Sequence, residues 1–497
     1  MDILNNLLYG FSLGLQPSNI LACFLGVLMG TLVGVLPGIG APGAMSILLP
    51  VTFRMSPISA IIMLAGIYYG SQYGGSTTSI LINIPGEATS VVTCLDGYEM
   101  AKKGRAGPAL GIAAFGSFIA GTLGIVGLMI FSSPLADFAL KFGPPEYFSV
   151  ILLGLTIITF LSQGSKLKAY MMGAFGLILS SVGLDPINAS PRMTFDILQL
   201  WDGIGMVPLV VGLFGISEVL INIEAPATRE ILKTKIKNLL PSALDWMQSK
   251  WAILRGTLVG FFLGILPGGG AIIATFVSYG LEKRLSKNPE EFGKGAIQGV
   301  AGPESANNSA SSGAFIPLFT LGIPTNVTMA LLFGALLIHG MRPGPLLLKD
   351  HPELFWGVVS SMYIGNVMLL VLNLPLIPLW VKVLKIPYRI LFPLILLFCI
   401  IGSYSLNNSI FDVLVMFIFG VVGYLFRKFG YDPAPLILTF ILGSIFEQNL
   451  RQSLLLSKGS FSIFFASPIS ACATTLALIL FATSFVPFGK LRGRRPQ

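Results

Sequence analysis

GSTTSILINIPGE, residues 75–87, sets hydroxyls, an amide and a Pro-Gly pair among long apolar stretches. Proline has no N–H and its ring clashes with the preceding turn; glycine frees the backbone. Together they predict that a helix ends here. What such an ending means depends on the solvent around it, and composition names that solvent. The chain has 497 residues, 54% hydrophobic and only 11% charged, where soluble domains carry about 25% charged residues. A soluble protein of this length has too little interior to hide so much apolar surface. The surroundings are therefore lipid.

Apolar runs long enough to span recur along the chain, and about ten to thirteen crossings are expected at roughly 20 residues each. Lipid-facing backbone must satisfy its own polar groups, which leaves helices or a closed barrel. The runs are too long and too continuous for barrel strands. The fold class is all-α and polytopic. The N-terminal MDILNNLLYGFSLGL has no basic region and is not expected to be a cleaved signal peptide. Net charge is +9, and the positive-inside bias with anionic lipid explains it better than nucleic acid does. The four cysteines are scattered, mostly in apolar runs, and suggest neither a disulfide framework nor a metal site.

Two segments repeat each other. GTLVGVLPGIGA (30–41) matches GFFLGILPGGGA (260–271), pairing Pro37 and Gly38 with Pro267 and Gly268. Further on, GGSTTSILINIP (74–85) corresponds in length and in its ends to GAFIPLFTLGIP (313–324), pairing Pro85, which Gly86 follows, with Pro324. The basic residues reverse between the two units. Lys102, Lys103 and Arg105 follow the Ile-Pro of the first, whereas Lys283, Arg284, Lys287 and Lys294 follow the L-P-G break of the second. Short basic loops stay cytoplasmic, so the units are expected to be inverted, as in many transporters. The division expected is a first repeat half (1–223), a cytoplasmic amphipathic linker (224–250), a second repeat core (251–354) and C-terminal scaffold helices (355–497).

Non-helical backbone at membrane depth survives only in protein or around a water-filled cavity. A broken helix there exposes N–H groups that suit an anion and carbonyls that suit a small cation. The substrate-binding candidates are Gly74, Gly75, Ser76, Thr77, Thr78, Ser79 and Asn83 from the first motif. Asn307, Asn308, Ser309 and Gly313 are those of the second. Neutral donors of this kind hold a carboxylate without a costly permanent countercharge. Glu304, with Pro303 and Ser305 beside it, is the coupling-ion candidate, because an ionisable residue in such a setting is functional by default. Close helix packing through small residues would explain one such patch; it explains two at matching positions poorly. Glu87 and Asp96 fit loop or capping roles better than site roles. No P-loop and no nucleophile–base pair is present, so neither a nucleotide engine nor an enzyme is expected. No cofactor or resident metal is implied, apart from Na⁺ or H⁺ as a coupling ion.

The chain resembles the large permease subunit of the tripartite tricarboxylate transporter family over nearly its whole length. The resemblance is carried by the L-P-G break ending at Ala41, by YGGSTTSILINIPG (73–86), by DGYEMAKKGRAGPAL (96–110) and by FGKGAIQGVAGPESANNSASSGAFIPLFTLGIP (292–324). Thr325 stands where the family pattern leads one to expect glycine. The resemblance implies an ion-driven importer in the bacterial inner membrane, partnered by a small integral-membrane subunit and a periplasmic solute-binding protein that delivers carboxylates. A homo-oligomer is also compatible with it. The rival readings are a passive carboxylate channel and a scaffold that moves no solute.

Overall fold

The computed structural model describes residues 3–36, 40–161, 165–185, 187–224, 238–268, 270–384 and 388–484. Among them the fold is all-α. The one regular strand pairing joins Gly183–Leu184 to Pro191–Arg192. Among the described residues, five helices are long and apolar enough to cross a membrane: Pro17–Val35, Ala106–Ala139, Met206–Glu224, Pro352–Asn373 and Ile410–Lys428. Four shorter apolar helices accompany them.

The helices that concern the site are α1 (Pro17–Val35), α2 (Gly40–Leu48), α3 (Pro57–Ile82), α4 (Val91–Lys102) and α5 (Ala106–Ala139) from the first half. The second half gives α6 (Ala243–Gly264), α7 (Gly270–Leu285), α8 (Gln298–Gly313), α9 (Val327–Ile338) and α10 (Pro352–Asn373). Two of these are too polar to face lipid, and neither does. Every residue of α3 from Ser59 to Ile82 is buried, and so is every residue of α8 from Gly299 to Gly313. Both are sheathed by other helices, so their hydroxyls, amides and acid sit in a protein interior.

Glycine makes that sheath close. On α1, Gly26, Gly30 and Gly34 lie against the carbonyl oxygens of Met63, Ile67 and Ser71 of α3, and a Cβ on any of them would collide with those oxygens. On α6, Gly256, Gly260 and Gly264 press in the same way on the carbonyls of Gly302, Ala306 and Ala310 of α8. Small residues four apart let backbones touch and gain dispersion contacts that lipid cannot supply. The helix before each L-P-G segment thus packs on the motif helix of its own half.

Pro37 and Gly38 lie outside the described residues. At the matching place α6 ends at Gly264, Pro267 and Gly268 (φ +94°) make the break, and α7 starts at Gly270. Of the surface segment expected over 224–250, residues 225–237 also lie outside the described ones. Ser242 caps α6 in a reciprocal box with Asp245, so residues 243–250 are already its first turns.

The chain divides into two compact units. One holds Met1–Leu140, Gly205–Leu266 and Gly270–Leu425; the other holds Lys141–Ile204, Pro267–Gly269 and Phe426–Gln497. The second is a bundle of Pro144–Leu161, Lys166–Ser180, Ala434–Leu456 and Pro468–Ser484. Its 181–204 loop is anchored by Asp185. That carboxylate accepts the Asn188 and Ile187 N–H groups and pairs with Arg451 at 2.9 Å. These bonds hold it at about 2, below its ordinary value. All candidate solute and ion residues belong to the first unit.

Candidate functional site

Helix α3 starts at Pro57 behind Ser56, whose hydroxyl accepts the Ser59 N–H. It runs unbroken through the Ser-Thr run to Ile82 and stops at Asn83, which is left-handed at φ +57°. Ile84 and Pro85 then leave the helix. Gly86 passes so close to the Gly34 carbonyl and the Gly75 Cα that no side chain fits there. The second half repeats this ending. The short helix Phe315–Leu321 after α8 stops at left-handed Gly322 (φ +67°), immediately before Ile323 and Pro324. Asn326 then caps α9 by accepting the Met329 N–H at 2.9 Å. Thr325, at the departure from the family pattern, is buried beside that cap. The breaks therefore fall just after the polar helices. The hydroxyl run itself is helical and points its side chains sideways.

Those side chains meet α8. Ser76 donates to Glu304 Oε2 at 2.5 Å, and Thr93 of α4 donates to Oε1. Glu304 is 1% exposed and has no basic partner among the described residues. One turn along α8, Asn308 donates to Ser117 of α5 at 2.7 Å. Seven residues beyond Glu304, Ser311 lies beside Tyr68, whose hydroxyl also accepts from Asn326 at 3.1 Å. Tyr68 and Ser76 are both on α3, so α3 and α8 run antiparallel along a polar seam. Between its ends lies Asn307. It is 1% exposed, yet among the described residues neither its amide N nor its amide O has a hydrogen-bond partner. A buried unpartnered amide is costly, and each such group calls for an explanation.

Next to the seam is a cavity of about 10 Å³, the scale of a single water. Tyr73, Ser76 and Thr77 of α3 line it, with Leu110 and Ser117 of α5 and Asn373 at the end of α10. Tyr73 is held by donating to Asn366 Oδ1 at 2.6 Å. The Asn373 side-chain oxygen is buried without a partner among the described residues, and Asn373 itself is only 4% exposed.

The structure thus gathers Ser76, Thr77, Glu304, Asn307 and Asn308 in one place. It uses the other candidates differently. Thr78 donates to the Val35 carbonyl at 2.8 Å, and Ser79 bonds Gly75 and Ser90. Ser309 donates to Thr257 of α6 at 2.8 Å. Gly74 and Gly313 are close-approach positions against Thr31 and Phe261, and Gly75 lies beside Glu87. Asn83 is an exposed helix end. The Ser305 hydroxyl is buried near Gly116 without a partner among the described residues, and Pro303 lies within α8 rather than ending it. Glu87 takes a capping role, accepting the Ala41 N–H of α2 at 2.7 Å. Sequence reasoning missed Tyr73, Thr93, Ser117 and Asn373. Only Asn373 carried a signal, a lone amide in the apolar run LLVLNLP.

The model of the "Tripartite tricarboxylate transporter TctA family" matches residues 20–438. The chain belongs to that family. It is 50% identical, over all of its length and 99% of the other's, to an "Uncharacterized 52.8 kDa protein in TAR-I ttuC' 3'region" of Agrobacterium vitis. It is 51% identical to an "Uncharacterized protein in TAR-II ttuC' 3'region" of the same organism, over 48% of this chain and 98% of that one. No solved structure matches. Membership makes the chain a membrane protein and the large transporter subunit of a tripartite tricarboxylate transporter, a system with further subunits.

Proposed function

We propose that the seam between α3 and α8 is where this TctA-family protein holds its solute, a carboxylate imported with Na⁺ or H⁺ across the bacterial inner membrane. A periplasmic solute-binding protein delivers the solute, and a small membrane subunit completes the carrier. One observation carries the reading: the Asn307 amide, buried in the middle of the seam with both polar atoms unpartnered. Its N–H₂ is a donor for a carboxylate oxygen and its carbonyl a ligand for a cation. A solute that brings both an anion and a coupling cation satisfies it, as no neighbouring protein group does.

Thr77, on the cavity wall beside the seam, supplies a neutral donor of the kind that releases its ligand readily, since no fixed positive charge stays buried in the empty carrier. Glu304 is the acid of the seam and has only hydroxyls for company. A coupling cation that neutralises it there, together with the solute, lowers the cost of moving both through membrane depth. The paired left-handed breaks before Ile84-Pro85 and Ile323-Pro324 are the joints expected of inverted repeats. Lys103, which donates to the Lys294 carbonyl at 2.5 Å, brings the basic loops of the two units together, as a shared cytoplasmic side would require.

The test is uptake of radiolabelled citrate and succinate by proteoliposomes with the binding protein supplied, under separately imposed sodium and proton gradients. Asn307→Ala and Thr77→Ala each lower uptake by about tenfold or more at normal abundance, the scale of one lost buried hydrogen bond to a charged group. Unchanged uptake in both variants removes the site.

A further inference from the structure

The opening stretches of two of the quoted motifs, DGYEMAKKGRAG (96–107) and FGKGAIQG (292–299), contribute nothing to the cavity, yet they are bonded to each other. Asp96, on α4, is 0% exposed. Its Oδ1 accepts the backbone N–H groups of Gly293, Gly295 and Ala296 at 2.9, 2.7 and 2.8 Å, and its Oδ2 accepts the Tyr279 hydroxyl of α7 at 2.9 Å. Gly293 and Gly295 are left-handed at φ +82° and +101°, which turns three donors of one short turn inward as an anion nest. Gly299, in the first turn of α8, lies so close to Oδ2 that a Cβ there would collide with the carboxylate. One carboxylate from the first half is thus the anchor for the entry of the second half's polar helix.

We propose that Asp96 is a positioning residue for transport: it sets the register of α8 so that Glu304 meets Ser76 and Thr93. Helix α4 grips α8 twice. Asp96 holds the turn before it, and Thr93, one helical turn away on the same face of α4, holds Glu304. Gly299 and Glu304 are five residues apart on α8, about 7.5 Å along its axis, so a small rotation at the nest displaces the carboxylate of Glu304. Hydrogen bonds to an ionised acceptor are roughly twice as strong as neutral ones, and an amide at position 96 loses that advantage while keeping the shape.

The inference rests on the proposed transport site, so it is tested by two readouts. In proteoliposomes holding the complete carrier and supplied with citrate-loaded binding protein, Asp96→Asn raises the apparent KM about fivefold. Tyr279→Phe, which removes one bond of the four, raises it about twofold. The double variant Thr93→Val with Asp96→Asn is no worse than Thr93→Val alone, because both act through Glu304. The second readout needs no transport. In a chain whose four native cysteines are replaced, a short bifunctional thiol reagent links Ser76→Cys to Glu304→Cys, and Asp96→Asn slows that linkage about fivefold. A wild-type KM in Asp96→Asn, multiplied effects in the double variant, or an unchanged linkage rate overturns the proposal. If Asp96→Asn does not accumulate in membranes, Tyr279→Phe is judged by the same measurements. A wild-type carrier that moves no solute defeats the transport reading instead, and the linkage rate still decides the role of Asp96.

Discussion

The pair α1–α3 and the pair α6–α8 have one packing scheme and two chemistries. In each, three glycines spaced by four press on carbonyls of the partner helix, and in each a left-handed residue precedes an Ile-Pro exit. The side chains across the seam are not copies. Helix α3 offers hydroxyls and Tyr73; α8 offers Glu304, Asn307 and Asn308 and carries Pro303 inside it. Backbone interlocking is duplicated because it depends only on the absence of side chains. Under the proposed function, a charged solute held with a cation needs different partners on its two sides, which accounts for the difference in the polar residues.

Two kinds of substitution probe how far the duplication goes. The larger effect belongs to the glycine interlocks. Gly34→Val and Gly260→Val each set a branched side chain against a carbonyl that cannot move without its helix. Each is expected to cost more than the about 1–3 kcal/mol of ordinary overpacking and to deplete folded protein from membranes. Gly280→Val, with open space around it, leaves abundance unchanged. Thermal melting in detergent measures all three, and a tolerated change in one pair alone would break the equivalence. The smaller effect belongs to the exits. Asn83→Gly changes stability by less than about 0.5 kcal/mol, since glycine accepts the left-handed geometry. Gly322→Ala costs about 1–2 kcal/mol for that geometry alone, and its Cβ would also lie 2.6 Å from the Pro343 carbonyl oxygen.

Much of this was legible before any coordinates. Hydropathy gave the all-α membrane class, and the L-P-G and Ile-Pro repeats marked the places where helices end. The expected break at 75–87 was right about the ending and wrong about its extent. Hydroxyl side chains can bond back to carbonyls four residues earlier, as Ser79 does to Gly75, so a Ser-Thr run remains helical when protein rather than lipid surrounds it. Which hydroxyl faces the seam was not readable either. Ser76 and Thr78 differ by two residues, about 200° around a helix, and only packing decides that one reaches Glu304 and the other Val35. Thr93, Ser117 and Asn373 lie outside the quoted motifs and join the site through tertiary contact alone. Asp96 looked like a loop residue because its partners lie some 200 positions later in the chain.

The central claim is that Glu304, held by Ser76 and Thr93 in the buried seam, belongs to the transport machinery. Citrate uptake by the Glu304→Gln carrier in proteoliposomes measures it most directly, because glutamine keeps the volume and the hydrogen-bonding reach and removes only the charge. The account predicts that uptake driven by an imposed cation gradient falls at least about tenfold at unchanged abundance and melting temperature. Uptake at the wild-type rate, with the same dependence on the gradient, would contradict it.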